Sequence, residues 1–540
     1  MLVGQAAAAG GGRHRVAAGH DRGPASGRLA ARLTLAAVLA AQALISIWLT
    51  GRNTAYQDEA LYLWAGRLEW ARWLHGSRIP IAFPGYFSGS SVVYPPIAAV
   101  ADSLGGLTGA RLLSTCFMLA ATWLLWSATR RLLDERAALF AAAVFAFTGS
   151  ALFLGAFATY DAMALLLLAA AAWTALRSAG QSRRRQVGLL ALMVLLLLIA
   201  NAAKYASALW DPVVLALAAL ADVRTRGWRS GVRTGLAATA GLGLLIVAAV
   251  LAGGHSYLAG IEFSTVSRSL GTQPPATVLA ASAAWIGLVA VAAIAGAVIV
   301  TRRGAGSGMA LTGWVLAAAV LLAPAEQARI HTTVSLFKHV GYGGWFGAAM
   351  AGAALSALVG VLSGRPAAER HRPDGTRGRR ASAVGVAAAL VTAAGLLGLH
   401  QASGNYQTWP DTGALVARLE PLAAATPGHD LAEEPAVVSY YLRAAPSIWS
   451  STLYFRYRDR ATGATLTGLR AYAAAIRHHY FSLIVIGYVS VRYRDQAIAA
   501  LVTRTPGYRL VAMVPWSAGR RHGRFWVWRW TGRRAGSARG

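Results

Sequence analysis

Between residues 33 and 400 the chain alternates long apolar stretches with short polar ones. About eleven stretches reach the roughly 15–24 residues at which a helix crosses a hydrocarbon core. Their cores are Leu33–Thr50, Leu112–Thr129, Ala137–Phe157, Ala162–Leu176, Val187–Ala203, Ala206–Ala221, Gly235–Leu251, Thr277–Val300, Met309–Leu322, Val340–Val361 and Val384–Leu399. No clear small-residue cleavage site follows the first, so it reads as an uncleaved helix rather than a signal peptide. From residue 401 the pattern changes. Short strand-like runs (Ala436–Tyr440, Leu483–Gly487, Leu510–Val514, Phe525–Trp530) alternate with helical ones (Thr412–Glu420, Leu466–His479, Arg494–Thr503). This predicts a small α/β domain over 401–540. Residues 1–32, rich in Ala, Gly and Arg, are predicted to be a disordered basic tail. No repeat of fixed period runs through the chain, which argues against an inverted-repeat transporter.

Composition supports a polytopic membrane protein. Of 540 residues, 56% are hydrophobic and 13% charged, and mean hydropathy is +0.47. The net charge of +30 raises nucleic acid as a partner, but the basic residues lie between the apolar stretches. Arg13–Arg32, Arg130–Arg136, Arg177–Arg185, Arg224–Arg233, Arg302–Arg303 and Arg365–Arg380 all fall on one side of an eleven-span topology. By the positive-inside rule that side is cytoplasmic. The topology therefore predicts a cell-membrane protein with a cytoplasmic N-terminus, an extracytoplasmic C-terminal domain, the bilayer as partner and no nucleic acid. A single cysteine, Cys116, excludes an intrachain disulfide.

Only 21 acidic residues occur in the chain, so those near predicted span ends stand out. Asp58 and Glu59 follow the first span, in a long aromatic loop. They read either as solvated acids paired with Arg67 or Arg72, or as functional groups ahead of an amphipathic surface helix. Asp161 opens a helix in the next outer turn, as a cap or as a site carboxylate. Lys204 ends the fifth span, as a snorkelling lysine, as a lysine neutralised by Asp211 seven residues on, or as a functional cation. Ionisable groups at membrane depth default to functional hypotheses. Carboxylates facing a cation suit deprotonation of an acceptor hydroxyl beside a phosphate leaving group. The ninth-to-tenth loop adds Glu326, Arg329, His331, Lys338 and His339, whose spacing fits no metal-ligand pattern. They read as a polar loop or as contacts to donor phosphate and acceptor. No metal or cofactor is expected. No Walker-type phosphate loop and no dinucleotide fingerprint occur.

Several segments together resemble a family. Tyr56-Gln57-Asp58-Glu59-Ala60-Leu61-Tyr62 resembles the acidic signature in the first outer loop of GT-C glycosyltransferases of the protein O-mannosyltransferase and aminoarabinose transferase type (glycosyltransferase families 39 and 83). Tyr94-Pro95-Pro96-Ile97, Gly109-Ala110-Arg111-Leu112, Thr159-Tyr160-Asp161-Ala162 and Ala203-Lys204-Tyr205 resemble its later motifs, in order, over about the first 220 residues. The resemblance implies the GT-C fold with a soluble C-terminal domain. It implies a membrane glycosyltransferase, hexosyl or pentosyl, drawing sugar from a polyprenyl-phosphate donor onto a glycan, lipid or protein hydroxyl at the outer face. It makes Asp58 the general base, Glu59 its catalytic neighbour and Asp161 a positioning carboxylate. By the resemblance Lys204 and Arg111 would hold the donor phosphate, and the motif tyrosines Tyr56, Tyr62, Tyr94, Tyr160 and Tyr205 would line the substrate site. Beyond the residues the resemblance covers, the ninth-to-tenth loop is expected to add Lys338 at the donor phosphate and Glu326, His331 and His339 at the substrate site. Some relatives carry a basic residue before the Pro-Pro pair, where this chain has Val93-Tyr94. The competing readings are a transporter or flippase of lipid-linked intermediates, and a membrane scaffold.

Overall fold

The computed structural model describes residues 25–304, 306–364, 374–426, 428–443, 448–459 and 461–532. Among these, ten helices are long and apolar enough to span a membrane, and each contains one of the predicted stretches. The eleventh stretch, Ala137–Phe157, is divided. It forms two helices end to end, Glu135–Ala146 and Gly149–Leu154. The Thr148 hydroxyl accepts the Ala151 N–H at 3.2 Å and caps the second. The pair runs antiparallel to helix Leu336–Leu362. A Cβ on Gly352 would lie 2.2 Å from the Ala137 carbonyl, and one on Gly341 2.6 Å from Ser150 Oγ. The two short helices thus complete an eleventh crossing. The first helix starts at Ala25, so residues 25–32 are helical rather than part of a tail. Residues 1–24, and 365–373 of the last basic loop, lie outside the described residues.

Small residues hold this bundle close. Helix Tyr160–Ser178 buries Ala164, Leu165, Leu168, Ala169 and Ala172 completely, as expected of a helix apolar on every side and covered by neighbours. Three of the basic loops meet at one end. Arg131 Nε donates to the Leu176 carbonyl at 2.9 Å. Asp222, fully buried, accepts from Gln186 (3.1 Å), Arg226 (3.1 Å), Ser230 (2.5 Å) and Thr234 (3.0 Å).

At the other end lies a layer of shorter helices. Helix Gln57–His75 packs across the start of helix Tyr94–Leu132. That long helix breaks at Gly105 and Gly106, the latter at φ 60°, so its first turns leave the direction of the span. Gly66 makes the crossing possible, since a Cβ there would stand 2.0 Å from the Pro95 carbonyl.

The C-terminal region folds as predicted in class and differs in detail. Its strands are β1 His429–Ala432, β2 Ile448–Ser451, β3 Arg456–Arg458, β4 Thr465–Thr467, β5 Phe481–Ile486, β6 Tyr508–Ala518 and β7 Arg521–Trp530. Five form one sheet in the order β2-β1-β5-β7-β6, and β3 pairs with β4. β2, β1 and β5 are parallel, while β5, β7 and β6 are antiparallel. The run Ala436–Tyr440, expected as a strand, lies in helix Pro435–Tyr441, because Pro435 at the first helical position pre-sets the backbone.

This helix docks the domain on the bundle. Asp102 is buried and accepts from Arg67 Nε (3.1 Å) and Nη2 (2.5 Å), Tyr440 OH (2.6 Å) and Arg443 Nη2 (3.2 Å). Arg67 Nη1 donates to the Tyr440 carbonyl at 2.9 Å. Asp102→Ala leaves these donors without their acceptor, while the half-exposed arginines can turn to water. A loss of roughly 1–3 kcal/mol is expected. Limited proteolysis should then release the C-terminal domain at lower protease concentration than in wild type, and an unchanged cleavage profile would remove Asp102 from the docking contact.

Candidate functional site

The adjacent acids Asp58 and Glu59 open helix Gln57–His75, in its first turn, where the helix dipole favours negative charge. One position in the helix separates their environments. Glu59 is fully buried and forms a two-pronged ion pair with Arg111, at 2.8 Å to Nε and 2.7 Å to Nη2. Its oxygens also accept the Tyr56 N–H (3.1 Å) and the Ala158 N–H (2.8 Å). Arg111 Nη1 donates to the carbonyls of Thr50 (2.7 Å) and Asn53 (2.9 Å). Every nitrogen of this guanidinium is therefore engaged within the protein. The cluster ties the end of the first span to the loop before Asp161.

Asp58 faces the other way, with its side chain 24% exposed. Its Oδ2 accepts from Lys338 Nζ at 2.8 Å, across 280 positions of chain. Lys338 Nζ also stands 4.0 Å from Asp161 Oδ2. Asp161 Oδ1 pairs with Lys204 Nζ. Four groups from four distant segments thus alternate in sign: Asp58, Lys338, Asp161, Lys204. Asp161 is fully buried and further held by Thr159 Oγ1 (3.1 Å), while Tyr342 OH donates to its carbonyl (3.1 Å). Both lysine side chains are 4% exposed. Buried charges of this kind persist only when paired.

Aromatic side chains surround the row. Tyr62 OH donates to Tyr160 OH at 2.6 Å, and the Lys204 ammonium sits 5.1 Å from the Tyr160 ring centre. Tyr94 meets both rings edge-on. Burial, followed by the charge of Asp58, pushes the Tyr56 hydroxyl up to about 12, so it stays protonated. Tyr56 packs on Phe157 and Trp409. Tyr205 is half-buried and binds the Ser88 carbonyl through its backbone N–H.

The remaining predicted residues are placed unevenly. His339 is in the half-buried-to-buried belt beside Lys338, with its Nδ1 2.7 Å from the Gln327 amide. His331 adopts φ 55° and donates from Nδ1 to the Gln273 carbonyl at 3.0 Å, joining two loops. Glu326 lies apart from the row, its exposed carboxylate engaged by Arg329 at 2.7 Å. Sequence reasoning missed Tyr342, and read Thr159 only as a member of the Asp161 motif. Tyr342 was within reach, since it lies four residues after Lys338 and so shares its helical face. Among the described residues no group of three or more His, Cys, Asp or Glu is placed to hold a metal.

An eleven-crossing bundle, a surface-helix layer and a docked α/β domain, with a charged row where the three meet, define a polytopic membrane protein. Its likeness to solved glycosyltransferase structures shows the GT-C fold. Residues 97–252 match the family model of dolichyl-phosphate-mannose-protein mannosyltransferase. The fold is similar to ArnT from Cupriavidus metallidurans bound to undecaprenyl phosphate, with 16% identity, 95% of this chain and 100% of that chain covered, and a TM-score of 0.58. It is also similar to the oligosaccharyltransferase of Archaeoglobus fulgidus, with 13% identity, coverage of 86% and 71%, and a TM-score of 0.53. A third similar structure is the arabinofuranosyltransferase AftD from Mycobacteria, with 16% identity, coverage of 92% and 41%, and a TM-score of 0.50. Comparison with curated proteins finds no match.

Proposed function

We propose that this protein transfers a sugar from a polyprenyl-phosphate donor to an acceptor hydroxyl at the outer face of the cell membrane, with inversion at the anomeric carbon. The observation that carries this reading is the row Asp58–Lys338–Asp161–Lys204, in which Asp58 is the carboxylate partly open to solvent. Asp58 takes the proton of the acceptor hydroxyl. The acceptor oxygen bonds to the anomeric carbon as the bond from that carbon to the phosphate oxygen breaks. The electron pair leaves on the phosphate, where Lys204 and Lys338 balance its charge. Arrays fixed in a low-dielectric site pay little reorganisation for this. Asp161 holds both lysines in place. Arg111, whose nitrogens are all engaged, acts through Glu59 as a positioning residue, and Lys204 and Lys338 assume the phosphate contact.

Outer-face action rests on charge. Among the described residues, the loops that carry Arg131, Arg177–Arg185 and Arg224–Arg226 lie at the end of the bundle away from the row, and the positive-inside rule makes that end cytoplasmic. Support for the donor comes from the neighbour that was captured with undecaprenyl phosphate and from the family model for a lipid-phosphate-mannose enzyme.

The test is reconstitution of the purified protein in liposomes with a panel of polyprenyl-phosphate sugars and radiolabelled glycosyl groups. Label should leave the lipid phosphate and appear on acceptor. Lipid translocation without glycosyl transfer would replace this reading with the flippase one.

A further inference from the structure

We propose that the cavity between Gln57 and the C-terminal domain is the subsite for a sugar ring of the acceptor. This inference rests on the transfer reading above and names its acceptor class, a carbohydrate. The cavity begins one residue before Asp58. Its volume of about 190 Å³ is below the roughly 300–1,000 Å³ of drug-sized sites, so it admits one ring rather than a peptide or an oligosaccharide.

Its position in the sheet is that of a ligand crevice. β1 and β5 are adjacent and parallel, and the cavity is lined by the residues just beyond their carboxyl ends, Glu433 and Glu434 after β1 and Gly487 after β5. Open α/β sheets bind ligands at this edge. Glu433 builds the crevice: its carboxylate accepts the N–H groups of Gly487 (3.0 Å) and Ser490 and so fixes the loop after β5. That places Ser490 Oγ 2.7 Å from Glu434 Oε1. From the membrane side the Gln57 amide, turned to suit its neighbours, donates to the two Glu434 oxygens at 2.6 and 3.2 Å. Gln57, Glu434 and Ser490 form a polar rim in which donors and acceptors alternate.

The floor is apolar: Val438, Val485, Val489 and Phe525, with Trp409 at the side. A sugar ring matches this division, with its C–H face on the valines and its hydroxyls on the rim. An acyl chain would bury Glu434 and Gln57 against hydrocarbon and lose their hydrogen bonds with water. Burial, then the neighbouring Glu433 and Asp58 charges, raise Glu434 to about 7. Its oxygens accept from the Gln57 amide and the Ser490 hydroxyl, donors that a ligand hydroxyl at the rim can replace.

The test uses full-length protein in lipid nanodiscs with three probes: methyl α-mannopyranoside, methyl β-glucopyranoside and methyl α-arabinofuranoside. Saturation-transfer NMR should detect at least one of them on wild type. Val438→Trp, which fills the floor, should abolish the signal. Gln57→Ala, which leaves the floor intact, should weaken binding up to about tenfold, the loss of one good hydrogen bond. Arg456→Ala, on an exposed strand outside the cavity, should leave it unchanged. Absence of signal from all three probes on wild type, or a signal that survives both cavity variants, overturns the proposal. So does displacement of the glycoside by methylammonium, which would make the ligand a cation. The two readings fail separately: glycoside binding at the cavity without transfer refutes the transfer reading, and transfer without glycoside binding refutes the subsite.

Discussion

Asp58→Asn is expected to lower the rate of sugar transfer by roughly 10²–10⁴-fold, the contribution of a positioned general base, while the protein remains folded. The substitution keeps the size of the side chain, and its amide oxygen still accepts from Lys338, 2.8 Å from Asp58 Oδ2 in the native row. What is lost is the group that takes the acceptor proton. The fold is retained because Lys338 keeps Asp161 Oδ2, 4.0 Å from its ammonium, as a counter-charge; the loss of the Asp58 charge beside that buried lysine lowers stability, and the helix-dipole part of the loss is only about 0.3–1 kcal/mol. The measurement is a single-turnover assay beside a thermal-unfolding curve in the same detergent. Asp58→Glu should recover part of the rate, since it restores a carboxylate displaced by one methylene. Transfer at the wild-type rate in Asp58→Asn would end the assignment of this residue as the base.

The spans were legible because each is a long apolar run, which only a membrane or a very large core can bury. The break inside one of them was not. Thr148, Gly149 and Ser150 interrupt an otherwise apolar stretch, and that Thr148 starts a new helix there by capping it shows only in the structure. The acid motifs were legible as local text. Their partners were not, because Lys338 meets Asp58 and Arg111 meets Glu59 through contacts between distant segments. The residues alone therefore did not separate Asp58 from Glu59, and only the motif resemblance favoured Asp58 as the base. Short strands such as β1 and β2, four residues each, carry too few positions for alternation to register. The strand-like run Ala436–Tyr440 was misleading because Pro435 decides its backbone. The docking cavity was invisible for a different reason: Gln57 and Glu434 come from two domains.

The divergence of the two neighbouring carboxylates gives the second large effect. Arg111→Met is expected to destabilise the protein by roughly 3–5 kcal/mol, the cost of breaking a buried ion pair by removing one partner. The Glu59 carboxylate would remain at 0% exposure with only the N–H groups of Tyr56 and Ala158 as donors, and the carbonyls of Thr50 and Asn53 would lose the guanidinium. Adding Glu59→Gln removes the stranded charge and keeps an amide oxygen for the Ala158 N–H. The double variant should therefore be more stable than Arg111→Met alone. Unfolding by SDS titration in mixed micelles, read by far-UV circular dichroism, measures both. Transfer by the double variant should fall by less than in Asp58→Asn, since the row from Asp58 to Lys204 is left whole. A double variant as unstable as the sum of its singles would show that Glu59 and Arg111 act independently. A double variant that is folded yet as inactive as Asp58→Asn would move Glu59 from holding the loop into the reaction itself.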